Sequence, residues 1–330
     1  MEDMADNYEK FNFTVPNIVY HYCSVPTLLS ILTNKCIWVS DAYSSNDKSE
    51  LHWLLEQAKN IFPAIFLEQV KAYKPEMVNI ADKYLIYFDS LVDSFKIQNS
   101  LHKKVYICCF SKSNNSLDQW RAYGQDGQGV AIGFNTKILS DQNSSTCPFK
   151  KVRYGPKYSK PFLENLLTNQ LKYILLGYED NAPDFFNDLR LALFNLAHLI
   201  YSKGYLYKDS HFSHEEEWRL LREVPDDNYS TCNGIDEDYG FSSLDEGFLI
   251  DNNMFKFTRS KVKFRCSNNS IVPYFEFGFS KVQNVIKRIV LGPKCKINSH
   301  DLKLLLLSEG YINSLYDKNV KIINSEIPYI

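Results

Sequence analysis

The chain has 330 residues, of which 45% are hydrophobic and 15% aromatic, so it carries enough apolar material for a sizeable core. This composition excludes global disorder as a description of the chain. Its 37 basic and 39 acidic residues give a formal net charge of −2, which does not indicate bulk attraction to nucleic acids or membranes, although a local basic face is compatible with it.

The N-terminus and the cysteines indicate the compartment. Residues 1–6 are acidic and polar, unlike a secretion signal, and the longest apolar stretches are too short to span a bilayer. None of the eight cysteines forms a CxxC pair or lies at zinc-finger spacing from a histidine. We therefore expect a cytoplasmic protein with free thiols and without a metal site.

The first half of the chain predicts short elements after a loose tail at 1–17. A helix begins after Ser24 and buries Leu28, Leu29, Ile31 and Leu32. We predict strands over 18–23, 36–39, 105–110, 129–134 and about 150–154, and helices over about 50–60, within 63–100 and over 116–123.

The second half predicts a helical insertion at 160–205, broken near 177–183, and an exposed acidic loop at 225–247. Residues 217–224 fit either a strand or a helix. Strands near 255–264, 271–277, 286–291 and 319–323 and a helix near 299–308 follow. Because helices and strands cluster without regular βαβ alternation, we predict a single α+β domain with a central mixed or antiparallel sheet and flanking helices.

No standard phosphate loop, metalloprotease or serine hydrolase motif is present, but polar groups stand where strands should end. His21 lies in the first strand, where a lone histidine is usually a core or surface residue. Asn46 and Asp47, with Glu50 one turn later, are a candidate site or a helix cap with its first-turn acid.

Two further segments contain several residues that are candidates for catalysis or ligand binding. Ser111 leaves a buried strand, and Trp120 and Tyr123 share one face of a short helix, as a ligand platform or as packing. Glu215, Glu216 and Glu217 precede Trp218 and Arg219. In a strand, Glu215 and Glu217 share a face and suit stabilisation of a cationic transition state; in a helix, the three acids meet the N-terminal dipole.

A basic ridge is predicted from one stretch of alternating sequence. As a strand, it places four cations on one face: Arg259, Lys261, Lys263 and Arg265. Such a face binds nucleic-acid or dinucleotide phosphates, or it is the solvated side of an edge strand.

In chain order these segments resemble a widespread bacterial domain family of unknown function. The matching segments are Tyr20-His-Tyr22, Trp38, Asn46-Asp47 with Glu50, Cys109-Phe-Ser111, Trp120 with Tyr123, Gly129 to Phe134, Glu215 to Arg219, and Ile286 to Pro293. The ordered set, rather than any single piece, carries this resemblance.

The order of polar residues is also similar to that of the ADP-ribosyltransferase superfamily, which has an early Arg or His, a middle Ser or Tyr and a late E-x-E. That resemblance implies NAD as the substrate, with Glu217 and Glu215 as catalytic residues. It implies cofactor-binding roles for His21, Tyr22, Ser111, Trp120, Tyr123 and Arg219. A nucleic-acid or protein acceptor and a toxin-like or phage-defence role follow by analogy.

This sequence departs from the superfamily pattern, because the middle and late motifs are far apart and the serine motif is not S-T-S, and the catalytic acid could be Glu215, Glu216 or Glu217. Two rival functions therefore stay open. One is a non-catalytic module that binds a nucleotide or nucleic acid. The other is a metal-dependent nuclease that uses Asp47, Glu50, Glu215 and Glu217.

Overall fold

A computed structural model describes residues 15–44, 50–97, 103–140, 149–177, 185–225, 258–259, 262–267, 269–280 and 282–329. Most of the predicted tail and acidic loop, together with Asn46, Asp47 and Lys261, lies outside the described residues. The chain divides into two compact units. The prediction that these units form a single domain is not tested by this division.

The first unit, called the helical unit, is formed by the described residues of 45–101 and 152–214. Its elements are α2 (Glu50–Tyr73), α3 (Ala81–Ile97), β6 (Arg153–Tyr154), α6 (Pro156–Gly177), α7 (Phe185–Tyr201) and β7 (Tyr207–Lys208). The predicted insertion at 160–205 contains most of α6 and all of α7, while the predicted break near 177–183 lies almost entirely outside the described residues. These two helices share an apolar core with α2 and α3, which includes Phe62, Phe88, Leu167 and Leu193.

The second unit, called the sheet unit, is formed by the described residues of 14–44, 102–151 and 215–330. Its helices are α1 (Val25–Asn34), α4 (Leu117–Ala122), α5 (Thr136–Ser140) and α8 (Ser299–Ser308). Its strands are β1 (Ile18–Cys23), β2 (Cys36–Asp41), β3 (Lys103–Ser111), β4 (Val130–Asn135), β5 (Phe149–Lys151), β8 (Glu217–Pro225), β9 (Thr258–Arg259), β10 (Lys263–Ser267), β11 (Ser270–Gly278), β12 (Ile286–Leu291) and β13 (Lys321–Asn324).

These strands form one mixed sheet, which confirms the predicted α+β class. The main path runs β10-β11-β2-β3-β1-β4-β12-β13, while β8 pairs with β3 and β5, and β9 pairs with β11. Every pairing is antiparallel except that of β12 with β13. Strand β3 lies at the junction, because it pairs with β8 along its length and also with β1 and β2.

The two faces of the sheet differ in character. One face carries the main core, where Val19, Phe110, Ile132 and Leu220 pack with residues of α1 and α8. Because side chains alternate along a strand, the residues next to these point to the opposite face. That opposite face, called the polar face, positions the candidate site.

Two local predictions need comment. Residues 217–224, which fitted either a strand or a helix, are strand β8. The predicted burial of Leu29 is wrong, since this side chain is 51% exposed while Leu28, Ile31 and Leu32 are buried. Among the described residues, no helix is long and apolar enough to cross a membrane.

Candidate functional site

A row of side chains crosses the polar face of the sheet. The strand register places Arg288 of β12 opposite Gly133, Gly133 opposite Tyr20, Tyr20 opposite Ser111, and Ser111 opposite Glu217. Directly opposed residues point to the same face of a sheet. Four steps of about 4.8 Å give this row, called the polar row, a length of about 19 Å.

Glu217 and Arg219 form a buried ion pair at one end of the polar row. The Arg219 Nε donates to Glu217 Oε1 at 2.7 Å, and the Arg219 Nη2 donates to Glu217 Oε2 at 3.0 Å. Only 5% of Glu217 and 2% of Arg219 are exposed. Positions i and i+2 of a strand share a face, so the E-x-R spacing itself allows this bidentate contact.

The turn before β8 fixes the position of Glu217 at the start of the strand. The Ser111 hydroxyl donates to the carbonyl of Glu215 at 2.7 Å and accepts from the Ser113 amide at 3.1 Å. The Lys112 amide donates to the carbonyl of Glu216, which has a left-handed φ of 45°. Such a φ is unfavourable for a residue with a side chain, so the surrounding hydrogen bonds hold this turn.

The three adjacent acids therefore separate. Glu217 starts the strand, whereas Glu215 ends a 3-10 turn, so the two do not share a strand face as the strand hypothesis required. Glu216 makes a partly exposed ion pair with Lys112 at 3.4 Å. Of the three, Glu217 is the one that the register places in the polar row.

Tyr20 and Arg288 meet at the other end of the polar row. The Arg288 guanidinium donates to the Tyr20 hydroxyl at 3.0 Å, across the position of Gly133. A Cβ on Gly133 would lie 2.9 Å from the Tyr20 ring and 3.1 Å from the Arg288 Cβ, so glycine makes room for this contact. The Arg288 Nε is buried and has no hydrogen-bond partner in the described part of the chain.

Burial raises the pKa of Tyr20, although the neighbouring Arg288 charge opposes that shift. The hydroxyl is therefore a neutral hydrogen-bonding group at physiological pH. Tyr20 and Arg288 were missed as individual site residues in the sequence. An arginine within the apolar strand Ile286–Leu291 was the available signal, because a buried charge needs a specific partner.

Tyr22 and Trp120 have a packing role beside the polar row. The Trp120 ring is fully buried, lies edge-on to Tyr22 with ring centroids 4.7 Å apart, and donates from Nε1 to Asn115 at 2.9 Å. The Tyr22 hydroxyl donates to the Ser113 carbonyl and accepts from the Ser116 amide. These contacts order the loop after β3 and leave no open face of Trp120 for a nicotinamide ring. Tyr123, at the end of α4, is 45% exposed.

His21 lies on the opposite face of β1 from the polar row. Its Nδ1 lies 3.0 Å from the Cys109 carbonyl, and its ring is 5.8 Å from that of Phe110. Burial lowers the pKa of His21. The structure therefore does not bring His21 together with Ser111 and Glu217, because one step along a strand reverses the face.

Glu50 belongs to the helical unit and forms a buried ion pair with Lys208 at 2.7 Å. The structure thus gives Glu50 a partner that the sequence did not suggest. Among the described residues, no three His, Cys, Asp or Glu side chains are grouped so that they could hold a metal ion. The nuclease hypothesis gains no support from this part of the chain.

The predicted basic ridge is not one continuous strand. Arg259 lies in β9 and pairs with Phe277, whereas Lys263 and Arg265 lie in β10 beside Tyr274 and Val272. Lys263 makes an ion pair with Glu276 at 2.7 Å. Lys263 and Arg265 do share a face of β10, as the alternation predicted.

Comparison with known proteins finds a family model that is similar to part of the chain. Residues 119–220 match the family described as "Protein of unknown function (DUF2971)". This match confirms the predicted resemblance to a domain family of unknown function, and it runs from α4 to Glu217 and Arg219 of β8. No curated protein and no solved structure matches the chain.

Proposed function

We propose that the Glu217 end of the polar row cleaves the bond between nicotinamide and ribose in NAD and transfers ADP-ribose to an acceptor or to water. The observation that carries this proposal is the register that places Ser111 directly opposite Glu217, on the same face as Tyr20 and Arg288. The glutamate suits stabilisation of a developing positive charge, and the cationic group suits the pyrophosphate of NAD.

The Glu217 carboxylate supplies the electrostatic part of the reaction. When the C–N bond breaks, its electron pair leaves with nicotinamide, and positive charge develops on the ribose ring. A fixed carboxylate stabilises that charge. The acceptor then forms the new bond at the same carbon and loses a proton. Ser111 acts through the turn that it anchors, as a positioning residue for Glu217.

Arg288 suits the pyrophosphate of the substrate. Its guanidinium is planar and its Nε lacks a partner in the described part of the chain, so it retains donor capacity for an anionic oxygen. In this proposal Arg288 takes the role that the sequence gave to His21 and Arg219. Arg219 instead orients the Glu217 carboxylate.

A second candidate is a non-catalytic module that binds a nucleotide. It is favoured by the bidentate contact of Arg219 with both oxygens of Glu217, which neutralises the carboxylate in the unliganded protein. Such a module binds its ligand but turns nothing over.

The biological setting extends the first proposal by resemblance. An NAD-consuming enzyme that acts in the cytoplasm suits a toxin-like or phage-defence effector, with a nucleic acid or a protein as acceptor. Labelled NAD incubated with the protein and cell extract identifies the acceptor class.

The test is nicotinamide release from NAD by the purified protein, with and without cell extract, for the native chain and Glu217→Gln. Glu68→Gln is the matched control, since this residue is exposed on α2. We expect release that Glu217→Gln abolishes and Glu68→Gln leaves unchanged, with far-ultraviolet circular dichroism confirming that both variants fold.

Two other outcomes decide between the candidates. NAD binding by calorimetry without release, unchanged in Glu217→Gln, supports the binding module. Absence of both binding and release with any extract overturns the NAD proposal.

A further inference from the structure

A second feature of the polar face lies on strands β2, β11 and β10. Trp38 is 41% exposed there, although tryptophan is usually among the more buried residues of a sheet. Opposed and alternating positions place Trp38, Tyr274, Lys263 and Arg265 on the same face. These four residues are called the aromatic-cationic patch.

The contacts within the aromatic-cationic patch hold the indole ring in place. The rings of Trp38 and Tyr274 have centroids 4.4 Å apart, and Tyr274 is largely buried beneath this contact. The Arg265 guanidinium lies 5.9 Å from the centre of the Trp38 ring. An aromatic ring that its neighbours hold in place while part of it stays exposed loses little entropy when a ligand stacks on it.

The charge of the aromatic-cationic patch is positive. Lys263 is balanced by Glu276 at 2.7 Å, which leaves Arg265 as an additional positive charge. The Arg265 Nε is buried without a hydrogen-bond partner in the described residues, beside an indole that is still exposed. An unused guanidinium donor next to an exposed aromatic ring is the pairing that recognises a phosphate and a neighbouring base.

We infer that the aromatic-cationic patch binds single-stranded nucleic acid, with one base stacked on Trp38 and an adjacent phosphate on Arg265. A single strand is favoured over a duplex because the faces of paired bases are covered by their neighbours. Binding through a stacked base and a phosphate tolerates many sequences.

The aromatic-cationic patch lies near the polar row. Ser40 of β2 is opposite Ile107 of β3, and Ile107 is four residues before Ser111 on the same face. Four residues of strand span about 13 Å. A strand of a few nucleotides held on Trp38 thus reaches the Glu217 end. Its role as the acceptor of ADP-ribose rests on the proposed function, whereas the binding itself does not.

The test is fluorescence anisotropy with labelled 15-nucleotide dT and rU strands and the corresponding duplexes, at 50 and 200 mM salt and without NAD. We expect single strands to bind more tightly than duplexes. Trp38→Ala weakens binding about tenfold or more, since stacking on an aromatic side chain is worth that much per base. Arg265→Ala lowers the slope of log affinity against log salt by about 0.7, because one phosphate contact is lost.

Matched controls keep the inference falsifiable. Tyr316→Ala removes an aromatic side chain that is 92% exposed elsewhere in the sheet unit, and Lys321→Ala removes an exposed cation of β13. Neither variant should change the affinity. The inference is overturned if no single strand binds at 50 mM salt, if duplexes bind as tightly, or if Trp38→Ala binds like the native protein.

The two proposals fail separately. If the protein releases nicotinamide but does not bind the oligonucleotides, only the aromatic-cationic patch is wrongly assigned. Oligonucleotide binding that requires Trp38, without any nicotinamide release, supports the patch and removes the NAD chemistry.

Discussion

The two units each contain a buried ion pair, and the two pairs are built in opposite ways. In the sheet unit, Glu217 and Arg219 are two residues apart on one strand, with side chains 7% and 2% exposed. In the helical unit, Glu50 begins α2 and its partner Lys208 lies in the short strand β7, with side chains 13% and 3% exposed. The partners of the first pair are neighbours in the sequence, whereas those of the second come together only when the helical unit folds.

The difference teaches how each charge depends on its surroundings. A local pair remains together whenever its strand forms, so it suits a site where a carboxylate must keep one orientation. A long-range pair reports the packing of the elements that carry it. In both cases, removal of one partner takes this ion pair away from a buried charge, which is far more costly than loss of a surface pair.

The largest expected effect is in the helical unit. Lys208→Ala leaves the Glu50 carboxylate without this partner, and we expect a loss of about 3–5 kcal/mol in the free energy of unfolding. Lys160→Ala is the matched control, because its pair with Glu164 at 3.8 Å is largely exposed and should contribute about 0.5 kcal/mol or less. Urea denaturation followed by circular dichroism measures both. Equal stability of the two variants would contradict the importance of the buried pair.

A smaller effect is expected in the polar row. Gly133→Ala places a methyl group 2.9 Å from Ile18 and Tyr20, so neighbouring side chains must shift, at a cost of about 1–3 kcal/mol. Gly177→Ala, at the end of α6 with open space around it, should cost nothing. Thermal denaturation compares the two variants. A native melting temperature for Gly133→Ala would show that the contact between Tyr20 and Arg288 does not need the glycine.

The smallest effect concerns the face opposite the polar row, and it depends on pH. Because burial lowers the folded-state pKa of His21, the unfolded chain binds more protons below the unfolded pKa of about 6.5. Stability should therefore fall as the pH drops from 7 through 6.5, by no more than about 1.4 kcal/mol per pH unit. His21→Leu should lack this component, whereas His300→Gln, exposed on α8, should retain it. Denaturation at pH 7.5 and 5.5 is the measurement, and identical pH profiles for all three proteins would refute the assignment.

Local patterns in the sequence predicted much of the fold. The helix near 299–308 matches α8, because Asn298 caps a run of leucines at helical spacing. The strand over Ile18–Cys23 is rich in β-branched and aromatic residues and was predicted with its correct ends. The predicted burial of Leu29 is wrong because helical spacing predicts an apolar stripe, but it does not predict how much of that stripe the neighbouring elements cover.

The candidate site was only partly predictable, for a related reason. Ser111 and Glu217 stood out as polar residues at the ends of apolar strands, and the register does bring them together. The face on which a residue points also depends on register, so His21 was grouped with a site that it does not join. The partner of Glu50 was beyond prediction, because nothing in the sequence near α2 indicates β7.

The polar row also affects the order in which the chain folds. The hydrogen bond from Ser111 to Glu215 joins residues 104 positions apart, and that from Arg288 to Tyr20 joins residues 268 apart. Contacts of such long range are slow to form, because a large loop must close before any of them stabilises the chain. During synthesis β3 emerges long before its partner β8, so one edge of β3 stays unpaired until β8 is made. An unpaired strand edge is prone to aggregation, so we expect the early half of the chain to depend on chaperones until β8 is made.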